Sequence, residues 1–184
     1  MENKNNATKV ITGEVRFSYL NVFEPKSIDG NEAKYSVSLL IPKTDKAALE
    51  KIKNAVEAAK QAGIGKFGGK IPANLKLPLR DGDIDREDDE TYAGHYFINA
   101  SCKTKPGLIF KNGHKIEDST ELYSGCYGRA SVNFYAFNTN GNKGIACGLN
   151  NLQKLRDGDA LGGRSRAEDD FADYIEEDEE DLLS

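Results

Sequence analysis

The sequence predicts a mainly β fold, a small barrel or Greek-key sheet with one helix after the second strand. Period-two alternation of apolar and polar residues recurs along the chain. Only one stretch, DKAALEKIKNAVEAAKQAG (45–63), places its apolar residues on a helical stripe: Leu49, Ile52, Val56 and Ala59. Clusters of Gly, Asn, Asp and Pro separate the alternating runs, as turns and long loops require.

Residues 1–8 are expected to be disordered. Val10 to Phe23 reads as the first strand, with Val15, Phe17 and Tyr19 on one face and Glu14, Arg16 and Ser18 on the other. A turn over Ser27–Asn31 leads to a second strand, Lys34 to Ile41, which Pro42 ends. Thr44 is the expected N-cap of the helix and Gly63 its stop. Residues 63–91 are loop-rich. A strand follows from His95 to Lys103, then a short hairpin around Asn112-Gly113. Tyr127 to Phe137 is the strongest strand, and the chain returns through Ile145 to Leu149 toward Leu155. The expected organisation is a domain over 9–155, a basic Gly/Arg linker at 156–166 and an acidic tail at 167–184.

Charge divides the same way. The chain has 25 Lys+Arg and 30 Asp+Glu, a net charge of −5. Ten of the acidic residues lie in 167–184, which has no Lys or Arg; residues 1–166 therefore carry 25 basic and 20 acidic residues, or +5. Such asymmetry points to nucleic acid, a membrane surface or another charged partner. No run of about 18 apolar residues exists to span a membrane, and the N-terminus lacks the apolar core of a secretory signal. Cys102, Cys126 and Cys147 have no C-x-x-C spacing, so a zinc site is not expected and the thiols read as reduced, small residues.

Two strands share an unusual division of faces. In YGRASVNFYAF, Gly128, Ala130, Val132, Phe134 and Ala136 form a compact core face. The opposite face holds Tyr127, Arg129, Ser131, Asn133, Tyr135 and Phe137. In HYFINASCK, Tyr96, Ile98, Ala100 and Cys102 oppose His95, Phe97, Asn99, Ser101 and Lys103. Flat rings among cations and hydrogen-bonding groups match single-stranded nucleic acid: bases stack on rings for roughly 1–3 kcal/mol each, and Lys/Arg neutralise phosphates. The alternative is that Phe97, Tyr135 and Phe137 sit under a loop or the helix in a second small core. Lys76, Arg80, Lys105, Lys111, Arg156, Arg164 and Arg166 are further candidates to line the surface.

Other motifs fail on context. Gly63-Ile-Gly-Lys-Phe-Gly68 fits G-x-G-x-x-G but follows a helix rather than a strand. Asp81-Gly-Asp-Ile-Asp85 opens like a calcium loop, yet Arg86 stands where Gly is needed and Tyr92 where a bidentate Glu is needed. No nucleophile elbow or H-E-x-x-H is present. A metal-dependent nuclease built on the 81–90 carboxylates, with Lys76, and a protein-interaction or virion component remain the rival functions; no cofactor is implied.

The segments SYLNVFEPK (18–26), KYSVSLLIPK (34–43), LRDGD (79–83), YAGHYFINAS (92–101), SGCYGRASVNFYAFN (124–138) and GIACGLNNLQKLRDGDALGGR (144–164), followed by an acidic tail, resemble phage and prophage single-stranded DNA-binding proteins. The resemblance implies an OB-fold five-stranded barrel, a non-enzymatic role in phage replication or recombination in the cytoplasm of the bacterial host, and similarity to the T7-type protein of that class. A tethered polyanion would compete with DNA for a basic groove. Once released it could dock on a phage DNA polymerase, primase or helicase through Phe171, Tyr174, Leu182 and Leu183. A homodimer is compatible with all of this.

Overall fold

Alternating faces close into a ring. The elements in chain order are β1 (Lys9–Ile11), β2 (Val15–Lys26), β3 (Lys34–Pro42), α1 (Lys46–Ala62), β4 (Arg80–Asp81), α2 (Gly82–Asp85), β5 (His95–Cys102), β6 (Gly107–Ile109), β7 (Tyr127–Thr139) and β8 (Asn142–Arg156). They come from a computed structural model that describes residues 7–27, 30, 32–161 and 171–175. β2 pairs with β3, β3 with β5, β8 with β7 and β7 back with β2, all antiparallel, while β5 and β8 run parallel. Five strands thus form a closed barrel with the strand connections of an OB fold. β1, β4 and β6 extend its margins.

The inward set is apolar on every barrel strand. Phe17, Leu39, Ile41, Ile98, Val132, Phe134 and Ile145 are almost wholly buried. α1 lies between the second and third barrel strands and buries Ala48, Leu49, Ile52, Ala55, Val56 and Ala59 in the same core. Asp45, rather than Thr44, caps it: its carboxylate accepts the Ala48 N–H at 3.2 Å. Gly63 stops it as expected, its N–H donating to the Ala59 carbonyl at 2.9 Å.

The first expected strand is two. The chain breaks at 12–14 between β1, which pairs with β7, and β2, which enters the barrel. Thr8, expected in the disordered N-terminus, accepts the Phe134 N–H at 3.0 Å. β2 itself is irregular. Its register with β3 shifts between Ser18 and Asn21, and Tyr19 takes φ of 46°. This bulge reverses the side on which Tyr19 emerges. Expected on one face with Val15 and Phe17, which are buried, Tyr19 is instead 60% exposed.

A second, smaller core sits outside the barrel. Leu40 of β3 and Phe97 of β5 face outward and are covered by Tyr92, which is 1% exposed. The Tyr92 and Phe97 rings meet edge to face, with centroids 5.1 Å apart. The Tyr92 hydroxyl lies 3.1 Å from Ser38 Oγ and 3.3 Å from Ser18 Oγ, which fixes the ring against two strands. The flap that brings Tyr92 there, residues 80–94, is latched by Lys43. Its ammonium lies 2.7 Å from both Asp81 Oδ1 and Asp83 Oδ2, and Asp83 Oδ1 accepts the Gly94 N–H at 3.0 Å.

Candidate nucleic-acid interface

The outer faces of β2, β3 and β5 form a groove of about 730 Å³. Strand register builds its floor. Asn21 of β2 is opposite Ser36 of β3, Ser36 opposite Ser101 of β5, Ser101 opposite Gly148 of β8, and Gly148 opposite Asn133 of β7. The next row, Ser18–Ser38–Asn99, has its two serines buried against the Tyr92 hydroxyl and leaves Asn99 exposed. The side chains of the first row are small and can hydrogen-bond, so a flat ring can come close to the sheet there. Among the described residues, Lys26, Lys34, Arg86 and Lys103 line the groove against one carboxylate, Glu32, which pairs with Lys103 at 3.1 Å. Lys26 and Lys34 face each other directly across the β2–β3 pair. Like charges so placed are destabilising in isolation; a polyanion would relieve them.

Exposed rings stand on both sides. Tyr19 is thrown into the groove by its bulge, and the Asn21 amide donates to the Tyr19 carbonyl at 3.1 Å. On the other side Tyr135 of β7 is 46% exposed. Its ring lies over Gly148, where an added Cβ would meet Tyr135 Cε1 at 3.4 Å. Because Gly148 is also the partner of Ser101, the same register row leads from the groove floor across β8 to the face of β7 that carries Tyr135.

Comparison with known proteins shows the family. A family model described as the ssDNA-binding protein of Enterobacter phage Enc34 matches residues 8–183. The chain belongs to the Enc34 ssDNA-binding family. Protein p50 of Acyrthosiphon pisum secondary endosymbiont phage 1 is 35% identical over 185 residues, covering 96% of this chain and 99% of the relative. The Enc34 protein solved in complex with ssDNA is 26% identical and superposes with a TM-score of 0.74, covering 88% of this chain and 96% of that one. The single-stranded DNA-binding protein gp2.5 of bacteriophage T7 shares the fold, with a TM-score of 0.61 at 17% identity over 92% of this chain and 95% of that one. The Enc34 family is one of non-enzymatic binding proteins.

Within this Enc34-family chain, the residues singled out in the sequence go to different places. Lys103 lines the groove, and Tyr135 stands outside that lining, exposed beside Gly148. Phe97 does not line it: it is 0% exposed, because the flap lays Tyr92 on it. The second-core alternative is the correct one for that ring. Arg80 stands 5.2 Å over the Phe97 ring and pairs with Asp85 at 3.2 Å. Tyr127 is clamped between Arg16 and Arg156, whose guanidinium carbons lie 5.3 and 3.8 Å from its centroid. Arg156 is held in turn by Glu14 at 2.7 Å, which raises its already high pKa. Phe137 is half-buried on Gly144, beside the Lys76 backbone. Lys76 itself joins the loop to β8: its N–H donates to the Lys143 carbonyl at 3.0 Å and its carbonyl accepts the Ile145 N–H at 2.8 Å. Arg129 is exposed opposite Gln153 of β8, and Lys105 stands 5.7 Å over the Phe23 ring. Lys111 belongs to a different cavity with His114, Lys115 and Arg156. Phe171 and Tyr174 are exposed around a short 3-10 turn, while Leu182, Leu183, Arg164 and Arg166 lie outside the described residues.

Tyr19, Asn21, Lys26, Lys34 and Arg86 were missed. Two signals existed. Lys26 and Lys34 bracket the turn, so hairpin pairing would oppose them. Arg86 is the only cation among the acidic residues of 81–90. Three of the seven carboxylates are paired with cations: Asp81 and Asp83 with Lys43, Asp85 with Arg80. Lys76, the proposed nuclease lysine, bonds at the β7–β8 turn instead, 3.5 Å from Asn142 Oδ1.

Proposed function

We propose that this protein binds single-stranded DNA without sequence preference and coats exposed strands during phage or prophage replication and recombination in the host cytoplasm. The observation that carries the reading is the continuous row from Asn21 to Asn133, with a cationic rim and an exposed tyrosine on each side. Rings accept any base face, and cations accept any phosphate, so such a groove selects single strands over sequences. It lies on the second and third barrel strands, where OB barrels take oligonucleotides. The Enc34 relative solved with ssDNA supports the same assignment.

The acidic tail belongs to this reading. It competes for the groove at high effective concentration and leaves when DNA enters. Freed, it offers Phe171 and Tyr174 to a polymerase, primase or helicase of the phage.

The test is fluorescence anisotropy of a labelled oligo-dT strand and the matching duplex at two salt concentrations. Tight, salt-sensitive binding to the strand and weak binding to the duplex is expected, and cutting the chain after Arg166 tightens it at low salt. Absence of strand binding, with and without the tail, would remove the reading.

A further inference from the structure

The Tyr19 bulge does not hold itself. A tyrosine at φ of 46° occupies a backbone region that residues with a Cβ rarely adopt. Its neighbours on β2 are gripped from the edge opposite β3. Phe17 donates its N–H to the Cys126 carbonyl at 2.9 Å and accepts the Gly125 N–H at 2.7 Å. Past the bulge, the Leu20 N–H donates to Ser124 Oγ at 2.9 Å. That single hydroxyl satisfies the amide that the register shift takes away from the ladder. Bulges at functional sites re-aim side chains in this way.

The gripping loop is itself strapped down. After β8 the chain does not leave the barrel at once. Leu161 donates its N–H to the Ser124 carbonyl at 2.9 Å, and the Asp159 carbonyl accepts from Arg16 Nη2 at 2.8 Å. The Tyr123 hydroxyl lies 3.1 Å from Asp157 Oδ1 and 3.0 Å from the Gly158 carbonyl. Lys154 anchors Asp157 at 2.6 Å. The approach is close enough to demand glycine: a Cβ on Gly158 would sit 2.1 Å from the Gly125 carbonyl oxygen and 2.7 Å from the Tyr127 ring. Residues 157–161, which lie in the expected basic linker 156–166, are thus hydrogen-bonded back onto the barrel.

We propose that Ser124, held by the strap 157–161, is a positioning residue for DNA binding: it keeps the Tyr19 ring turned into the groove. The proposal rests on the single-strand reading of that groove. It assigns the segment between barrel and acidic tail a role in recognition, where a plain spacer would have none. Ser124 touches no base; it acts through Tyr19.

The experiment uses the full chain and labelled oligo-dT, with thermal melts alongside. Tyr19→Ala weakens binding about tenfold or more, the value of one base stack. Ser124→Ala and Gly158→Ala each weaken it about three- to tenfold, and Ser124→Thr, which keeps the hydroxyl, restores wild-type affinity. In the Tyr19→Ala background neither substitution weakens binding further, because no ring is left to position. Wild-type affinity in Ser124→Ala, or full additional loss in the double variants, would overturn the proposal, since a merely structural role lowers stability without that dependence on Tyr19. Full affinity in Tyr19→Ala would also overturn it. If Gly158→Ala does not fold, the Ser124→Ala and Ser124→Thr pair decides. Wild-type protein that ignores oligo-dT would sink the single-strand reading itself, an outcome separable from all of these.

Discussion

Tyr19 on β2 and Phe97 on β5 face the same side of the barrel, yet one ring is 60% exposed and the other fully buried. The difference lies in what each position does with its backbone. At Tyr19 the strand gives up regular pairing, and the ring swings out where no flap reaches. At Phe97 the strand stays in register, Leu40 opposite and Arg80 on the far side, and the 80–94 flap covers it. One outer face is thus split into a wet half that offers rings and cations and a dry half that fixes the flap. The flap in turn delivers Arg86 to the wet half, with its guanidinium 5.8 Å from the centroids of both Tyr92 and Phe97.

The largest effect expected is on the dry half. Phe97→Ala removes the ring under Tyr92 and should cost about 3–5 kcal/mol, as for other buried phenylalanines. Denaturant unfolding measures it. A change under about 0.5 kcal/mol, joined to a fall in DNA affinity, would put Phe97 on the DNA surface and erase the division between halves.

On the wet side the balance reverses. Tyr135→Ala should leave stability within about 0.5 kcal/mol, because the ring rests on Gly148 rather than filling a core. Affinity for oligo-dT should fall by roughly 1–3 kcal/mol. Tyr127→Ala, on the same face of the same strand, should instead disturb the Arg16–Tyr127–Arg156 stack and act on stability. If the two substitutions behave alike, the groove does not end at Tyr135 as the register implies.

Arg86 joins the halves. Arg86→Gln keeps a long polar chain over the rings and removes the charge. The slope of log affinity against log salt should fall in magnitude by about 0.7 for each phosphate that Arg86 neutralises. An unchanged slope would leave the flap as cover only.

How far the sequence reached follows from these positions. Barrel strands, the helix and the core face of β7 were legible because period two and period 3.6 are set locally and repeated several times over. Tyr135 and Lys103 were legible by the same alternation. Phe97 and Tyr127 were not, since what covers them comes from residues 80–94 and from Arg16, Arg156 and Gly158, distant in sequence. Tyr19 failed for the opposite reason. One bulge changes the parity of a strand, and nothing in SYLNVF marks it, because the group that stabilises it is the Ser124 hydroxyl, over a hundred residues away. Alternation predicts a face only where the strand keeps count and no other segment lies on it.

The smallest effect expected concerns the latch that keeps the dry half dry. Lys43 bonds to Asp83 and holds that carboxyl below its ordinary value of 3.8, with the Gly94 N–H adding to the effect. The same two aspartates, Asp81 first, raise the Lys43 ammonium above its ordinary 10.5. A depressed carboxyl stabilises the folded form fully above its unfolded pKa and loses that contribution as pH falls through the lower, folded value. A raised ammonium stabilises fully below its unfolded pKa and loses the contribution as pH rises through the folded one. The latch is therefore whole between about pH 4 and pH 10 and opens in acid only below about pH 4. All three side chains are partly solvated, so salt should weaken it as well. Exchange of the Gly94 amide reports the opening. Asp83→Asn should show faster exchange at neutral pH and lose the acid step, whereas an identical acid step in that variant would mean that another carboxylate holds the flap.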